Sequence, residues 1–353
     1  MTSPALVSSE ALTLTPLDGD VAGWDALVAS DPDGSFCHLS GWREIIASTL
    51  GQECLYQTAR AADGRIVGIL PLVRIRSRLT GHYLISVPYL NYGGPLGTPD
   101  ARVRLLEWAR DEARRSGADV LEIRSRGPQP GDLAPGREKL TVVLPLPASV
   151  DELWAKTFKA KLRSQIRRPQ REGMETRFGA DQVEAFYEVF ARNMRDLGTP
   201  VHPRSFFSRL AEVLPERAVF GAVYWEGAPV AAGCGLFGGD EMEITWASSL
   251  REHNAKSPNM LLYASFMEHA IGRGASAFNF GRCEPGGGTH QFKLQWGGQN
   301  EPLPWLQWTP RATGAVPKPD SPVMSLASRA WTRLPLGVAG FLGPRVMRKL
   351  PNY

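Results

Sequence analysis

A single lysine set among aromatic residues, Phe292-Lys293 with Trp296 three positions on, is the part of this chain best suited to chemistry. The residues before it, Ala277 to Phe280, form a strand-like run that ends in Gly281-Arg282-Cys283, and a glycine-rich stretch, Gly286-Gly287-Gly288, follows. An isolated cation against apolar rings is costly to bury unless it meets an anion or a developing negative charge. The pattern therefore reads as a loop that positions Lys293 to hold a phosphate or an oxyanion. The alternative is a surface lysine beside two core aromatics. Arg282 offers a planar fork to a carboxylate or phosphate, or else pairs with nearby Glu284. Cys283 and His290 are a conceivable thiol–imidazole pair, but no residue close by in sequence orients the histidine.

Two further stretches carry candidate ligand-binding residues. Pro88 to Pro95, containing Asn91-Tyr92-Gly93-Gly94, sits between a strand and a helix, where loops commonly line ligand clefts. Asn91 and Tyr92 would contact a sugar or peptide portion of a substrate, unless the glycines only shape a turn and the aromatics stack on the core. Between 156 and 171 the chain has Lys156, Lys159, Lys161, Arg163, Arg167, Arg168 and Arg171, and no acid. On a helix Lys159, Arg163 and Arg167 share one face, while Trp154, Phe158, Leu162 and Ile166 mark the buried one. Pro169 is expected to end or kink that helix. Like charges four residues apart repel, so Arg163 and Arg167 would gain from an anionic partner such as a nucleotide-linked sugar, a lipid pyrophosphate or a tRNA. A solvated basic face is the other reading.

These side chains must be positioned by a repeated order of elements. In the first half, an Asp63-Gly64 turn leads into a strand to Val73. A strand Tyr83–Val87, a helix from about Asp100 to Ser116 ending at Gly117, and a strand Asp119–Ile123 follow. In the second, a Glu226-Gly227 turn leads into a strand to Leu236. Then come a strand Glu241–Ala247, a helix from about Asn259 to Arg273 ending at Gly274, and a strand Ala277–Phe280. The turn before the second helix, Leu250 to Asn259, has no glycine, and Ser257-Pro258 there reads as an N-cap with proline at the first helical position.

At 353 residues the chain can hold two domains. Its 43% hydrophobic and 22% charged content is that of a soluble globular protein, and a net charge of +4 does not by itself indicate nucleic acid. The four cysteines, Cys37, Cys54, Cys234 and Cys283, show no metal-type spacing and read as reduced thiols. Met1 to Leu17 has neither a basic start nor an apolar run, so a secretory signal is not expected, nor is a membrane span anywhere. These features suggest a cytoplasmic protein.

Hairpin, strand, helix, strand, given twice, together with the Phe280-Gly281-Arg282 turn and the Phe292-Lys293 pair, resembles the FemAB family of aminoacyl and acyl transferases. So do the Tyr92-Gly93-Gly94 turn, the arginine-rich helix followed by Gly173, and the opening Phe36-Cys37-His38-Leu39-Ser40-Gly41-Trp42. The resemblance spans roughly 35–310. It implies an α/β fold of two tandem GNAT-like domains, each a mixed sheet flanked by helices. We expect domains over 1–148 and 149–310, with a linker and C-terminal tail over 311–353. It also implies that Lys293 serves substrate phosphate or the tetrahedral intermediate, with Arg282, Phe292, Trp296, Arg163, Arg167, Asn91 and Tyr92 in substrate binding. No metal and no bound cofactor are expected; the donor would be an aminoacyl-tRNA or an acyl thioester. His38 is expected to pack or cap, and His202 and His253 have no partner recognisable in sequence.

The chain departs from the resemblance at Cys283, where many relatives have Ser, and it lacks the charged helical hairpin that some use for tRNA. The tail, with Trp331, Leu334, Leu336, Val338, Phe341 and Leu342 among Arg329, Arg333, Arg345, Arg348 and Lys349, resembles that of a subgroup found with exopolysaccharide and PEP-CTERM/exosortase gene sets. The expected activity is transfer of an acyl or aminoacyl group to an envelope glycan, a peptidoglycan precursor or an exopolysaccharide component. The rivals are an acyl-CoA-dependent N-acyltransferase and a non-catalytic binding module. Residues 326–350 either dock on the second domain or touch the inner membrane face peripherally.

Overall fold

The turns punctuate the chain as the sequence requires. Gly117 adopts left-handed φ of 66° immediately after one long helix and Gly274 φ of 81° two residues past the end of the other, and Gly64 and Gly227, at 86° and 80°, turn the two hairpins. A computed structural model of the chain describes residues 12–78, 80–310 and 322–351. Most of the expected linker and the first eleven residues lie outside them.

The first half contains β1 (Thr13–Pro16), α1 (Val21–Ser30), α2 (Gly41–Leu50), β2 (Glu53–Arg60), β3 (Ile66–Ser77), β4 (Gly81–Ser86), β5 (Leu96–Gly97), α3 (Pro99–Ser116), β6 (Val120–Ile123), β7 (Ala134–Pro135) and β8 (Lys139–Pro145). The second contains α4 (Val150–Glu152), α5 (Ala160–Arg171), β9 (Glu175–Phe178), α6 (Val183–Asp196), α7 (Arg204–Val213), β10 (Ala218–Trp225), β11 (Ala228–Gly238) and β12 (Glu241–Ser249). It continues through α8 (Pro258–Gly272), β13 (Ala277–Cys283), α9 (Gly288–Leu294), β14 (Gln299–Leu303) and β15 (Leu306–Trp308). The tail forms α10 (Pro322–Trp331) and α11 (Leu336–Met347).

Two mixed sheets result, and each borrows from the other half. The first runs β1-β2-β3-β4-β6-β15-β7, with β5 beside β3; the second runs β14-β8-β13-β12-β11-β10-β9. Thus β8, which precedes the expected boundary at 148/149, pairs antiparallel with β13 and β14, while β15 pairs with β6 in the first sheet. The halves therefore do not separate at 148/149. The reason is visible in β8, where six consecutive residues, Lys139 to Leu144, are buried; that fits an interior strand covered on both faces. One apolar core joins α1, α2, α6 and α7 with residues of both sheets, such as Ile69, Phe220 and Trp246. A second packs α5 and α8 on the other side of the second sheet, and a third packs α3 on the first.

Three local expectations are corrected. Helix α5 continues two residues past Pro169, which lies in its last turn and whose ring is buried. Ser257 does not cap α8 with its side chain: it takes left-handed φ of 59°, and the turn before it winds into a 3-10 helix, Arg251–Lys256. Lys293 lies on a short helix rather than on the glycine loop itself.

Candidate active site

The second sheet splits open at one place. Strands β12 and β13 pair in parallel only from Glu241–Glu243 against Ala277–Asn279, although both continue beyond. Each carries an irregularity just past the split. On β12 the register to β11 jumps from Trp246 to Ile244, leaving Thr245 as an extra residue. On β13 the register to β8 breaks between Asn279 and Arg282, with Gly281 at φ 71° and its N–H turned to Asn279 Oδ1 at 2.8 Å. Bulges bend strands and re-aim side chains, and this pair opens a cleft of about 300 Å³ lined by Thr245, Trp246, Phe280, Arg282 and Lys293. Tyr89 and Asn91 of the first half and Met347 of the tail complete its walls.

Lys293 is 3% exposed, and its Nζ donates to the carbonyls of Gly281 at 2.5 Å and Arg282 at 2.8 Å. Two of the three ammonium N–H groups are used in this way. Burial, offset in part by Cys283 and Glu243, pulls its pKa down to about 8. Arg282 does not pair with Glu284, which takes Lys139 instead at 2.6 Å. Its guanidinium lies 5.5 Å from the Trp305 ring, and its buried Nη1 has no hydrogen-bond partner among the described residues. Burial and the neighbouring Arg124 lower its pKa to about 9.

The residue that the sequence reading missed is Glu243. It is fully buried on β12 at the split, and its Oε1 accepts from Asn91 Nδ2 at 2.7 Å and Thr245 Oγ1 at 3.2 Å. Its Oε2 is buried without a partner among the described residues. Burial pushes its pKa up to about 7, against the pull of the Asn91 hydrogen bond. Gly281 joins it to the lysine: a Cβ there would stand 3.7 Å from Glu243 Oε1, while its carbonyl holds Lys293. A signal existed, because Glu241 and Glu243 alternate with Met242 and Ile244 in a buried strand, and an acid there must have a partner or a role. Glu241 has a partner, Arg126 at 2.6 Å; among the described residues Glu243 has no cation in direct contact.

The other expected residues divide between the cleft and its surroundings. Asn91 reaches the site as the donor to Glu243. Tyr92 is buried behind it, its hydroxyl accepting from Asn279 Nδ2 at 3.0 Å. Trp296 packs in the second core against Phe158 and Phe280, and Phe292 lies edge-on to Tyr263. Arg163 donates to the carbonyls of Trp154 and Phe158 at 3.1 and 2.8 Å, and Arg167 stands over the Trp154 ring. Both arginines thus hold the turn before α5, away from the cleft. His290 accepts from Gly286 N–H through Nδ1 and faces Asn300 at 2.8 Å, so it does not pair with Cys283, whose thiol burial pushes up. His38, expected to pack or cap, is packed: its ring is buried and bonded between Ser35 Oγ and the Gly94 carbonyl. His202 forms part of the cleft wall and burial lowers its pKa to about 3. His253 packs against Trp225, and all four cysteines are free.

In the first half the corresponding parallel strands end one residue past their pairing, and buried side chains occupy the space beyond. Strands β4 and β6 pair over Tyr83–Ile85 and Val120–Glu122. Beyond them the fully buried Arg124 bonds Glu122 at 2.8 Å and the Leu90 carbonyl at 2.9 Å, under the Trp305 ring.

Residues 156–294 match a family model described as an acetyltransferase (GNAT) domain. No curated protein matches the chain in sequence. Among solved structures, the crystal structure of FemX is similar over 84% of this chain and 97% of its own, with TM-score 0.62 and 17% identity. The C-terminal domain of a putative lysylphosphatidylglycerol synthetase from Agrobacterium fabrum is similar over 88% and 96%, with TM-score 0.55 and 14% identity. A tandem GNAT protein from the clavulanic acid biosynthesis pathway is similar over 85% and 98%, with TM-score 0.54 and 15% identity. These likenesses establish the architecture: the chain has a tandem GNAT-like α/β fold, and residues 156–294 are similar to a GNAT acetyltransferase domain.

Proposed function

We propose that this protein is an acyltransferase of FemAB type that forms an amide or ester on a cell-envelope glycan, a peptidoglycan precursor or an exopolysaccharide component. The observation that carries the reading is the buried cluster at the base of the split sheet, where Lys293 and Glu243 flank Gly281 and where, among the described residues, Glu243 Oε2 and Arg282 Nη1 are left unpaired. Glu243 lies behind the cleft-lining residues Asn91, Thr245 and Gly281, and buried unpaired polar atoms beside a cleft are expensive unless a ligand or water satisfies them.

In the reaction an amine or hydroxyl of the acceptor attacks the donor's acyl carbonyl. Glu243 takes the nucleophile's proton, for which a carboxyl with pKa about 7 is well matched. Lys293, its position fixed by two carbonyls, faces the negative charge that develops on the carbonyl oxygen. Arg282 holds an anionic part of donor or acceptor. The C–O bond to tRNA, or the C–S bond of a thioester, then breaks, and the proton passes to that leaving group. Under this reading the protein works in the cytoplasm on an anionic or lipid-linked glycan substrate.

An acyl-CoA donor is the second reading, favoured by the family match and by the β12/β13 split. Against it, the turn before α8 is closed by the 3-10 helix Arg251–Lys256 and offers no glycine-lined amides for a pyrophosphate. Calorimetry with CoA separates the two: micromolar binding would move the assignment to acyl-CoA. The main test is mass spectrometry of envelope glycans and precursors from a deletion strain complemented with wild type, Lys293→Ala or Glu243→Gln. A substituent restored by wild type and by neither variant supports the proposal; full restoration by both variants removes it.

A further inference from the structure

Helix α11 is apolar on two faces, and the fold uses one. Ala339, Gly343 and Met347, spaced four apart, are buried, and Gly343 fits so closely that a Cβ would come within 3.0 Å of Val201. Polar contacts fasten the tail to both halves. Arg195 donates to the Leu334 carbonyl, Arg348 to that of Thr49, Gln52 to that of Arg348 and Thr80 to that of Lys349, at 2.9 to 3.1 Å. The tail is therefore docked, and its outer face is fixed in place.

That outer face is where the exposed apolar surface of the molecule gathers. Of seven large apolar side chains exposed among the described residues, five lie here: Leu326 at 68%, Phe341 at 61%, Leu336 and Val338 at 42% and Leu342 at 36%. Leu197, at 49%, stands one residue from Gly198, which abuts Ser328 of α10. From 322 to 351 the chain has Arg329, Arg333, Arg345, Arg348 and Lys349 and no Asp or Glu. The Arg345 guanidinium sits 3.7 Å from the Phe341 ring centre, so cation and apolar surface are interleaved. Arg76 and Arg78, from the adjoining β3–β4 hairpin, share a surface cavity with Lys349 in which Asp119 is the one acid.

We propose that the outer face of α10 and α11 is a docking surface for an anionic phospholipid bilayer. Phe341, Leu342, Val338 and Leu326 enter the headgroup boundary, while Arg329, Arg333, Arg345 and Lys349 meet lipid phosphates. Spanning is excluded for these helices, because α11 has 12 residues and none of the described helices is long and apolar enough to cross a membrane. A second copy of the chain fits poorly as the occupant: a symmetric contact would bring four cations from each partner, Arg329, Arg333, Arg345 and Lys349, together with no carboxylate in the segment to match them. Met347, on the docked face of the same helix, lines the cleft. The site and the lipid surface are thus separated by about one helix diameter, roughly 10 Å. The inference concerns location and does not require the transferase reading.

The test is co-sedimentation of the full-length protein with vesicles of phosphatidylcholine alone or mixed with phosphatidylglycerol. Binding to the mixed vesicles, weakened by high salt, is expected. Phe341→Asp with Leu326→Asp, and Arg345→Glu with Lys349→Glu, should each lower the partition coefficient by more than about tenfold while the melting transition stays in place. Equal pelleting of wild type and variants, or equal binding to neutral vesicles, overturns the proposal. So does a wild-type dimer that Phe341→Asp converts to monomer in light scattering, since a second copy would then be what covers this face.

Discussion

In the proposed mechanism the chemistry of the cleft turns on two side chains whose burial opposes their charge. Glu243 is held toward its neutral form and Lys293 loses its proton more readily than a free lysine, so the active combination of carboxylate and ammonium exists in a narrow window. The acyl-transfer rate should rise as Glu243 ionises near pH 7 and fall as Lys293 deprotonates near pH 8, with both limbs belonging to the coupled pair. Glu243→Gln should lower kcat by about 10²- to 10⁴-fold and abolish the rising limb. Lys293→Ala should cost about 10²- to 10³-fold with the fold intact by circular dichroism. Stability carries the opposite sign for the acid. Because its folded pKa exceeds the unfolded value of 4.5, the native state holds the extra proton, and stability falls as pH rises from about 4.5 to 7. In urea melts Glu243→Gln should flatten that decline. Lys293 was legible in the sequence because a lone cation among aromatics is conspicuous. Glu243 was not, since its role depends on the bulge at Thr245 and on Asn91, 152 residues away in the chain.

At the scale of elements, glycine and arginine do what the pattern alone left open. Gly281 must adopt left-handed φ of 71° for its carbonyl to meet the lysine. Gly281→Ala meets only ordinary contacts, the nearest being the Ile244 carbonyl at 3.4 Å, so the backbone is what opposes it. A loss of about 1–2 kcal/mol in chemical denaturation is expected, with a larger proportional loss of turnover. Arg163→Ala removes two bonds to the carbonyls of the turn before α5 and should cost about 1–2 kcal/mol while leaving KM unchanged. An altered KM would restore Arg163 to the substrate. The order of hairpin, strand, helix and strand was readable twice over because glycines end both helices and turn both hairpins. The location of the basic stripe was not, because helical spacing says which residues share a face and not what lies opposite. Trp154, immediately upstream, supplies the carbonyl and the ring that engage Arg163 and Arg167.

At the scale of the molecule, the division at 148/149 was drawn from element order, and pairing across halves does not respect it. Strand β8 enters the second sheet between β13 and β14, and β15 enters the first between β6 and β7. Expressed separately, 1–148 and 149–353 would each lack an interior strand and expose unpaired ladder edges. Both pieces should be insoluble, or soluble only when co-expressed. Independent folding of either would contradict the pairing. The reciprocal loan of strands also bears on how a ligand is admitted. Two lobes stitched in this way cannot swing apart like jaws without unzipping backbone ladders on both sides. Entry must therefore be governed by small parts at the rim, such as the Tyr89 ring or the last turn of α11 at Met347, and the empty and loaded forms should superimpose closely.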